Sequence, residues 1–551
     1  MRIFKILALT GVLASVGIAC TDLVVTNLND PDRQRAIQTP GDVESLISGS
    51  FNSVFYSYQG SYPNCPLSVA ANDHSSSWGN WGMRDASEEP RIAFNNDPSY
   101  GYRGVAESPW GNAYSGLAGA RDGLAAIAEG IIIEEGGVDV TPRAVAFGKF
   151  VQGWAMANLA MLYDQAFVID ENSDLESIEL VPSAAMWAAA LEKYGEAIQV
   201  AQSSTFTIPA PWVGFGPEWT SSDLAGFVKA IRARQTIQMP RSVAERDAVN
   251  WSGVLSELSD GLPFDYVNYY DGNTWGWHRN KLHCGGRQSG WSRTDMRTIG
   301  PSDVSGAWET WINAVPTEKF PFDIVTPDSR ITVPFEPKTN GKYNRYYGNS
   351  PFPASRGIWH YSHYMDNRWY FPGYVGTYPD FVEQEVDFIR AEAWYRGGQM
   401  DLVREVVNAS RANGDLPPFV TNDNPDGPDL CVPQNPNGTC GDLWEALKYE
   451  KRIENFHYGP YSAFVDDRGW GDLESGTFLE IPVPGSELLL LLMDIYTFGG
   501  NAGNAAPVSG PDDFISFLSD YSPEALSLKR QSLDARLERL NAQSPDGVRV
   551  R

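Results

Sequence analysis

Apolar residues recur every three or four positions along several stretches of the chain, which is the spacing of one face of an α-helix. Between Arg143 and Tyr163 a mostly apolar stripe contains Phe147, Val151, Trp154, Asn158 and Leu162. Ser183 can cap the next helix, in which the same spacing connects Trp187, Leu191, Tyr194 and Ile198. Asp223 can cap a third helix, which ends before Pro240. These patterns predict long helices in the first half of the chain.

Three further helices are predicted in the second half. One runs near Val386 to Tyr395 and is broken by Gly397-Gly398, the next follows at once, and the last covers Leu443 to Phe456. The predicted packing faces carry small residues, namely Ala155, Ala157, Ala188 and Ala189. This arrangement favours helix pairs stacked as in tetratricopeptide repeats, although the internal repeat is weak and periodicity alone does not establish it. The predicted fold class is mainly α.

The pattern changes between about residues 260 and 380, where helical spacing is lost and Tyr, Gly, Pro and Asn are frequent. The tryptophans of this stretch are Trp275, Trp277, Trp291, Trp308, Trp311, Trp359 and Trp369. An earlier stretch, from Asn72 to Trp110, has the same character. Because long irregular segments in compact proteins are usually functional surfaces, we expect ligand contacts there.

The N-terminus resembles a bacterial lipoprotein signal. Arg2 and Lys5 precede an uncharged apolar run from Ile6 to Ile18, and small residues then lead to Cys20. The run is shorter than the roughly 20 apolar residues that a membrane-spanning helix needs. The resemblance implies that residues 1–19 are a signal peptide and that Cys20 is lipidated. Residues 20–40 are predicted to be an extended tether. The alternative is ordinary cleavage beside a cysteine that is there by chance.

Four cysteines remain after Cys20 is set aside, and an even number in an exported chain suggests two disulfide bonds. Cys431 and Cys440 bracket a short loop rich in Pro, Asn and Gly, so we expect them to bond. Cys65 is then left with Cys284. The alternative is four free thiols, and the spacings do not fit a zinc site.

Charge and motifs exclude several classes of function. The formal net charge of −27, from 42 basic and 69 acidic residues, argues against nucleic-acid binding through a basic face. No nucleophile elbow, P-loop or dinucleotide-binding glycine motif is present. The histidine pairs are loosely spaced, and Pro433 stands where a calcium loop beginning at Asn422 would need Glu. We therefore predict no enzyme activity, no cofactor and no metal.

Several sequence segments resemble motifs of the SusD/RagB family of outer-membrane nutrient-binding lipoproteins. FIRAEAWYRGGQMD, from Phe388 to Asp401, resembles the family's LIRAEAYLRLG helix pair. EKRIENFHYG, from Glu450 to Gly459, is similar to its E-R-R-x-E-L-A-F-E-G helix, and IPVPGSEL, from Ile481 to Leu488, is similar to its PIPQSEL ending. TPGDVESLISGSF, from Thr39 to Phe51, and WGNAYSGLAGARD, from Trp110 to Asp122, match its two early helices. These strings occur in the family's order over nearly the whole chain.

The resemblance implies a single SusD-like body over residues 41–551. A tetratricopeptide-like helical frame would cover about 41–260 and 380–500, with a loop-rich aromatic region at about 260–380. It also implies a lipid-anchored protein of the outer membrane, exposed at the cell surface, whose partner is a TonB-dependent SusC-like transporter. The expected ligand is an oligosaccharide, or in some members a peptide, bound without catalysis.

Aromatic side chains with polar neighbours are the candidate ligand contacts, because the apolar face of a sugar ring stacks on them. Trp275 and Trp277 are followed by His278, Arg279 and Asn280, and Trp78 and Trp81 stand beside Asn80 and Arg84. Trp291 and Tyr346 complete the predicted ligand-binding set. The alternative is that these rings are core, since tryptophan is highly buried on average.

Two other functions compete with substrate capture. Sixty-nine acidic residues permit a pair of carboxylates suited to glycoside hydrolysis, so a surface glycosidase is one alternative. A helical-repeat scaffold whose only partner is another protein is the second. Turnover of an oligosaccharide distinguishes a glycosidase from a protein that captures substrate. Saturable sugar binding distinguishes substrate capture from a scaffold.

Overall fold

The computed structural model describes residues 39–175, 177–214, 216–270, 290–352, 354–368, 375–422, 430–456, 458 and 461–503. Three sets of expectations lie outside these residues: the signal peptide with Cys20, the site residues Trp275 and Trp277, and the disulfide partner Cys284.

The first half of the chain is built mainly from long helices. Its helices are α1 Pro40–Gln59, α2 Ser61–Ala70, α3 Met83–Ser87, α4 Gly104–Ala128, α5 Thr141–Leu162, α6 Ser183–Ser203, α7 Ser221–Gln238, α8 Val243–Asp247 and α9 Trp251–Glu257. The later helices are α10 Met296–Ile299, α11 Ala307–Ile312, α12 Glu383–Arg396, α13 Met400–Asn413, α14 Leu443–Glu454, α15 Ser462–Trp470 and α16 Gly485–Leu490. The mainly α prediction is confirmed.

Strands are short and form antiparallel pairs. The pairs are β1 His74–Ser75 with β9 Arg293–Thr294, β2 Glu134–Glu135 with β3 Val138–Asp139, β4 Gln165–Phe167 with β5 Leu180–Pro182, β6 Thr207–Ile208 with β7 Trp219–Thr220, β8 Tyr266–Tyr270 with β12 Gly376–Phe381, and β10 Asn344–Tyr346 with β11 Tyr364–Asp366. Since β1 pairs with β9, the early aromatic stretch lies against the later one.

Neighbouring helices pack in a chain of pairs: α1 on α4, α4 on α5, α5 on α6, α6 on α7, and then α12 on α13 and α13 on α14. Helices α5 and α6 approach closely where Gly153 of α5 lies against Tyr194 of α6. A Cβ atom on Gly153 would lie 2.6 Å from the Tyr194 ring, so this approach requires a residue without a side chain. Within the described residues, no helix combines the length and the apolar character that crossing a membrane requires.

The helix ends show why the helices begin and stop where they do. Thr220 caps α7, and Asp223, the third residue of that helix, reciprocates with the Thr220 backbone. The sequence prediction that Asp223 itself is the cap is therefore wrong by three positions. Ser183 is the first residue of α6 and makes no cap bond, since its hydroxyl accepts from Arg241 instead. Gly398, with φ of 74°, follows the end of α12 as the glycine pair predicts.

The buried core has one large cluster in the helical frame and two smaller clusters. One smaller cluster joins the loop-rich region to α14, and it includes Trp308, Trp311 and Tyr449. The rings of Trp308 and Trp311 stack with centroids 5.6 Å apart, and these residues are 3% and 5% exposed. These two tryptophans of the aromatic stretch are thus core residues.

Cys431 and Cys440 are joined by a disulfide bond with a Cα–Cα distance of 5.3 Å, the pair that the loop composition predicts. The loop folds back on itself, since Gln434 and Cys440 form a β-bridge and Asn435 N–H donates to the Thr439 carbonyl. Cys65 is buried in the frame, whereas its predicted partner Cys284 lies outside the described residues.

Candidate functional site

A tight turn between β1 and α3 presents two of the predicted tryptophans. Trp81 has φ of 55° and Gly82 has φ of 74°, the left-handed region that bulky residues seldom adopt. Gly79 leaves room for a neighbouring ring, since a Cβ atom there would lie 3.0 Å from the side chain of Tyr102. Trp78 and Trp81 are both half-buried. Strain of this kind is held only where the surroundings fix the backbone, and it is frequent at binding sites.

Trp291 approaches this turn from the other side. The ring centroids of Trp81 and Trp291 lie 5.5 Å apart. Trp78 Nε1 donates to the Gly290 carbonyl at 2.7 Å, and the Ser76 hydroxyl donates to the Trp291 carbonyl at 2.6 Å. We call Trp78, Trp81 and Trp291 the tryptophan cluster. All three are half-buried, so each ring is partly supported by protein and partly open to solvent.

Arginine side chains border the tryptophan cluster. The guanidinium of Arg356 lies 3.9 Å from the centroid of the Trp78 ring, close enough for a cation–π contact. Arg293, two residues after Trp291, lies 4.9 Å from the centroid of Tyr347, and Arg345 lies 5.3 Å from the same centroid. The site therefore combines apolar ring faces with cationic hydrogen-bond donors.

Tyr346 occupies a separate position on the neighbouring hairpin. It is half-buried in β10, pairs with Tyr364 of β11, and makes edge contacts with Tyr364 at 5.4 Å and with His363 at 6.0 Å. The next residue, Tyr347, turns toward Arg293. The structure thus brings Trp81 and Trp291 into ring contact, holds Trp78 against Gly290 beside them, and places Tyr346 on the hairpin whose Tyr347 contacts Arg293.

Burial lowers the pKa of two basic side chains beside the tryptophan cluster. Burial lowers the pKa of the Arg293 guanidinium to about 10. Its Nη2 atom donates to Asn349 Oδ1 at 3.3 Å, and its Nε atom is buried without a hydrogen-bond partner. The pKa of His363 is lowered by burial and by the positive charges of Arg293 and Lys338. The carboxylate of Asp323 opposes the shift of His363. A buried cation with incomplete hydrogen bonding therefore lies beside the tryptophan cluster.

Several residues of this site were missed by the sequence analysis, namely Arg293, Arg345, Tyr347, Asn349 and Arg356. Arg345 stands directly before two tyrosines, which is the single local signal available. Nothing in the spacing connects Arg356 with Trp78, because their contact depends on how distant loops pack. Within the described ranges, no group of three His, Cys, Asp or Glu side chains is placed to hold a metal ion.

Comparison with known proteins identifies the architecture. No family model matches the sequence, and no curated protein matches it. Among solved structures, a SusD-like carbohydrate-binding protein from Bacteroides fragilis aligns with 87% of this chain and 96% of its own, at 12% identity and a TM-score of 0.51.

The fold is SusD-like.

Two further solved structures align with lower scores. One is a SusD-like protein from Bacteroides fragilis, with a TM-score of 0.48, 13% identity, and coverage of 80% of this chain and 88% of that chain. The other is a SusD homolog from Bacteroides thetaiotaomicron, with a TM-score of 0.47, 15% identity, and coverage of 81% and 91%. The fold assignment depends on the first alignment.

This SusD-like structure also contains a cleft of about 550 Å³ that the sequence analysis did not predict. It lies between the disulfide loop, α14 and the end of α15, and its lining includes Trp308, Asn435, Asn437, Lys448, Trp470 and Asp472. Trp308 is buried in the cleft wall, and the half-buried ring of Trp470 is packed against Trp444, Arg246 and Lys451. Trp81 and Trp291 are half-buried side by side. The tryptophan cluster is therefore the stronger candidate for stacking on a ligand.

Proposed function

We propose that this protein captures oligosaccharides at the tryptophan cluster, as a lipoprotein anchored through Cys20 at the outer-membrane surface. It then delivers them to a TonB-dependent SusC-like transporter. The observation that carries the proposal is the contact between Trp81 and Trp291, which places partly open rings together on a SusD-like fold. One solved structure with this fold is described as a carbohydrate-binding protein.

Sugar recognition needs a flat apolar surface and a few directed polar groups. The tryptophan rings provide the surface, while Trp78 Nε1 is already bound to the Gly290 carbonyl, so that ring is held in place. Arg356 provides directed donors beside Trp78. Since a solvent-facing site gains little per sugar, we expect micromolar or weaker binding, near −8 kcal/mol or smaller in magnitude.

Anchoring and transport are supported by the sequence. The apolar run before Cys20 is typical of a lipoprotein signal, and the family that the chain resembles works with a SusC-like channel. In this proposal the ligand is held between the protein and the channel, and the protein itself breaks no bond.

Calorimetric titration of the purified protein with a panel of oligosaccharides tests the proposal. At least one should bind saturably, and Trp81→Ala and Trp291→Ala should each weaken that binding about tenfold or more, given that ring stacking contributes about 0.5–1.5 kcal/mol beyond the area buried. Trp187→Ala is the matched control, because Trp187 is also half-buried but lies on α6 of the frame. An equal loss of oligosaccharide binding in all three variants would contradict a local role of Trp81 and Trp291.

The competing functions give different results in the same samples. Chromatography of the oligosaccharide after incubation should show an unchanged chain length, and shortening would favour a glycosidase. Binding of peptides in place of glycans would retain the capture role and replace the ligand class. If neither glycans nor peptides bind and another protein binds tightly, the scaffold function is favoured.

A further inference from the structure

Four arginines at or beside the candidate site have no carboxylate partner among the described residues. Arg84, Arg293, Arg345 and Arg356 make no ion pair within the part of the chain that the structure describes, and we call them the site arginines. Most other described arginines pair with acids, as in Arg143 with Glu44, Arg232 with Glu257, Arg390 with Glu383 and Arg404 with Asp401. The two exceptions among the described residues, Arg91 and Arg468, are buried and donate mainly to backbone carbonyls. In a chain of formal net charge −27, unpaired arginines gathered at one place need an explanation.

The guanidinium groups of Arg293, Arg345 and Arg356 contact aromatic rings of the site, whereas Arg84 is linked to it through its backbone. The Arg84 backbone N–H donates to the Trp78 carbonyl at 3.0 Å, and the Arg356 guanidinium lies over the Trp78 ring. Arg293 and Arg345 both contact the ring of Tyr347. Stacking on a ring leaves the edge of a guanidinium accessible, and that edge carries the donors that fit a carboxylate. Arg356 uses Nη1 for a long bond of 3.4 Å to the Ser77 carbonyl, and its other donors have no partner among the described residues.

Neighbouring acids do not supply the missing charge. Asp85, next to Arg84, accepts the hydroxyl of Tyr100. Asp323, which acts electrostatically on His363, is paired with Lys338 at 2.9 Å. The positive charge of the border is therefore available to a ligand.

Burial makes this charge costly in the empty site. Arg293 is fully buried, its Nε atom has no hydrogen-bond partner, and its polar neighbour Asn349 is a neutral amide. A buried cation with incomplete hydrogen bonding is stabilised when an anion comes close. Arg345 is exposed and Arg356 is half-buried, so these two can reach a ligand directly.

We propose that the ligand of the tryptophan cluster is an anionic oligosaccharide, whose uronic acid carboxylates are bound by Arg345 and Arg356. Sugar rings stack on the tryptophans, and the charge of Arg293 below Tyr347 adds long-range attraction. The inference depends on the proposed function, because it names the chemical class of the captured glycan.

Matched acidic and neutral glycans test the charge requirement. The purified full-length protein is titrated with oligomers of galacturonic acid, of guluronic and mannuronic acids, and of hyaluronan, each beside its methyl ester. The esters keep the sugar rings and remove the charge. At least one acidic oligomer should bind about tenfold more tightly than its ester, since hydrogen bonds between charged groups are stronger than those between neutral groups. Its affinity should also fall as sodium chloride is raised, because salt screens exposed charges.

Variants at the surface of the site provide the second measurement. The Arg345→Gln/Arg356→Gln double variant should lose most of the preference for acid over ester. Arg404→Gln is the control, because it removes one positive charge from α13, where Arg404 pairs with Asp401, and it should keep the preference. Thermal midpoints measured on all samples show whether each variant is folded, and the salt dependence of the unaltered protein does not rely on any variant.

The outcomes separate this inference from the proposed function. If acids and esters bind equally, or if neutral glycans bind best, the charge requirement is overturned while glycan capture stands. If no glycan of either kind binds, the proposed function fails, and the inference fails with it. A preference for acid that survives the double variant also overturns the assignment to these arginines.

Discussion

Arg330 and Glu450 form a fully buried ion pair, with Arg330 Nη1 2.6 Å from Glu450 Oε2. They are 120 positions apart, and they join the loop-rich region to α14 of the frame. Asp328 and Glu454 complete the cluster at 2.7 and 2.9 Å. Burial opposes the charge of Arg330, but the carboxylates of Asp328 and Glu450 hold its pKa well above the ordinary value.

Breaking this pair should destabilise the whole protein. Arg330→Gln leaves buried carboxylates unpaired, so we expect the free energy of unfolding to fall by about 3–5 kcal/mol. Denaturant unfolding measures the change. Lys342→Gln is the control, because Lys342 and Asp415 are an exposed pair, and it should cost about 1 kcal/mol at most. Equal effects of the two variants would contradict the structural role of Arg330.

Tryptophans of the aromatic stretches should divide into core and surface residues. Trp308→Ala empties a buried position and should lower the free energy of unfolding by about 3–5 kcal/mol. Trp78→Ala alters a half-buried ring at the site and should cost about 1 kcal/mol. Thermal denaturation compares the two variants. A Trp78→Ala protein that unfolds as readily as Trp308→Ala would show that Trp78 is core.

Asp73 should make stability depend on pH. Burial raises the pKa of this carboxyl to about 7, although Arg452 opposes the shift, and Asp73 Oδ1 has no hydrogen-bond partner among the described residues. Because the folded-state pKa is raised, folding loses stability as the pH rises from about 4 through 7. Asp73→Asn removes the ionisation, so it should raise the thermal midpoint at pH 8 and have little effect at pH 4.

Asp401→Asn is the control for this pH dependence, because the Asp401 side chain is 88% exposed. Its thermal midpoint should differ little from that of the unaltered protein at either pH. An Asp73→Asn effect of the same size at pH 4 and pH 8 would mean that the carboxyl does not titrate in this interval.

The disulfide bond should contribute a moderate stabilisation. Cys431 and Cys440 close a loop with a sequence separation of 9. In the chain-entropy model, a loop of this length gives about 2–3 kcal/mol. The Cys431→Ala/Cys440→Ala double variant should lose this amount of free energy of unfolding, as measured with denaturant. Peptide mapping of the unaltered protein without reduction should find the two cysteines joined. Free thiols at both positions would refute the bond.

Lipidation should depend on Cys20 alone. Cys20→Ala removes the thiol that follows the apolar run, so the protein should move from the membrane fraction to the soluble fraction. Cell fractionation with immunodetection measures the distribution, and Thr21→Ala is the control, because it leaves the Cys20 thiol in place and should remain in the membrane fraction. Continued membrane association of Cys20→Ala would point to another anchor.

Local signals in the sequence were sufficient for the helical frame. The apolar spacing before Tyr163 predicted α5, Gly397-Gly398 predicted the end of α12, and the stretch beginning at Leu443 predicted α14. Helix formation depends on contacts three and four residues apart, so one stretch of sequence contains most of the information. The loop composition predicted the Cys431–Cys440 bond for the same reason.

The site was decided by the tertiary structure. Trp78 and Trp308 both lie in aromatic, irregular stretches, yet one is half-buried at the site and the other is core. Trp78 is held by Gly290, which is 212 positions away, and Arg356, whose side chain covers Trp78, bonds to a carbonyl 279 positions away. Burial and charge at a site are sums over such distant neighbours. The sequence by itself determined which segments are helical and which residue types were available, and only the packing of distant loops decided which rings and arginines meet.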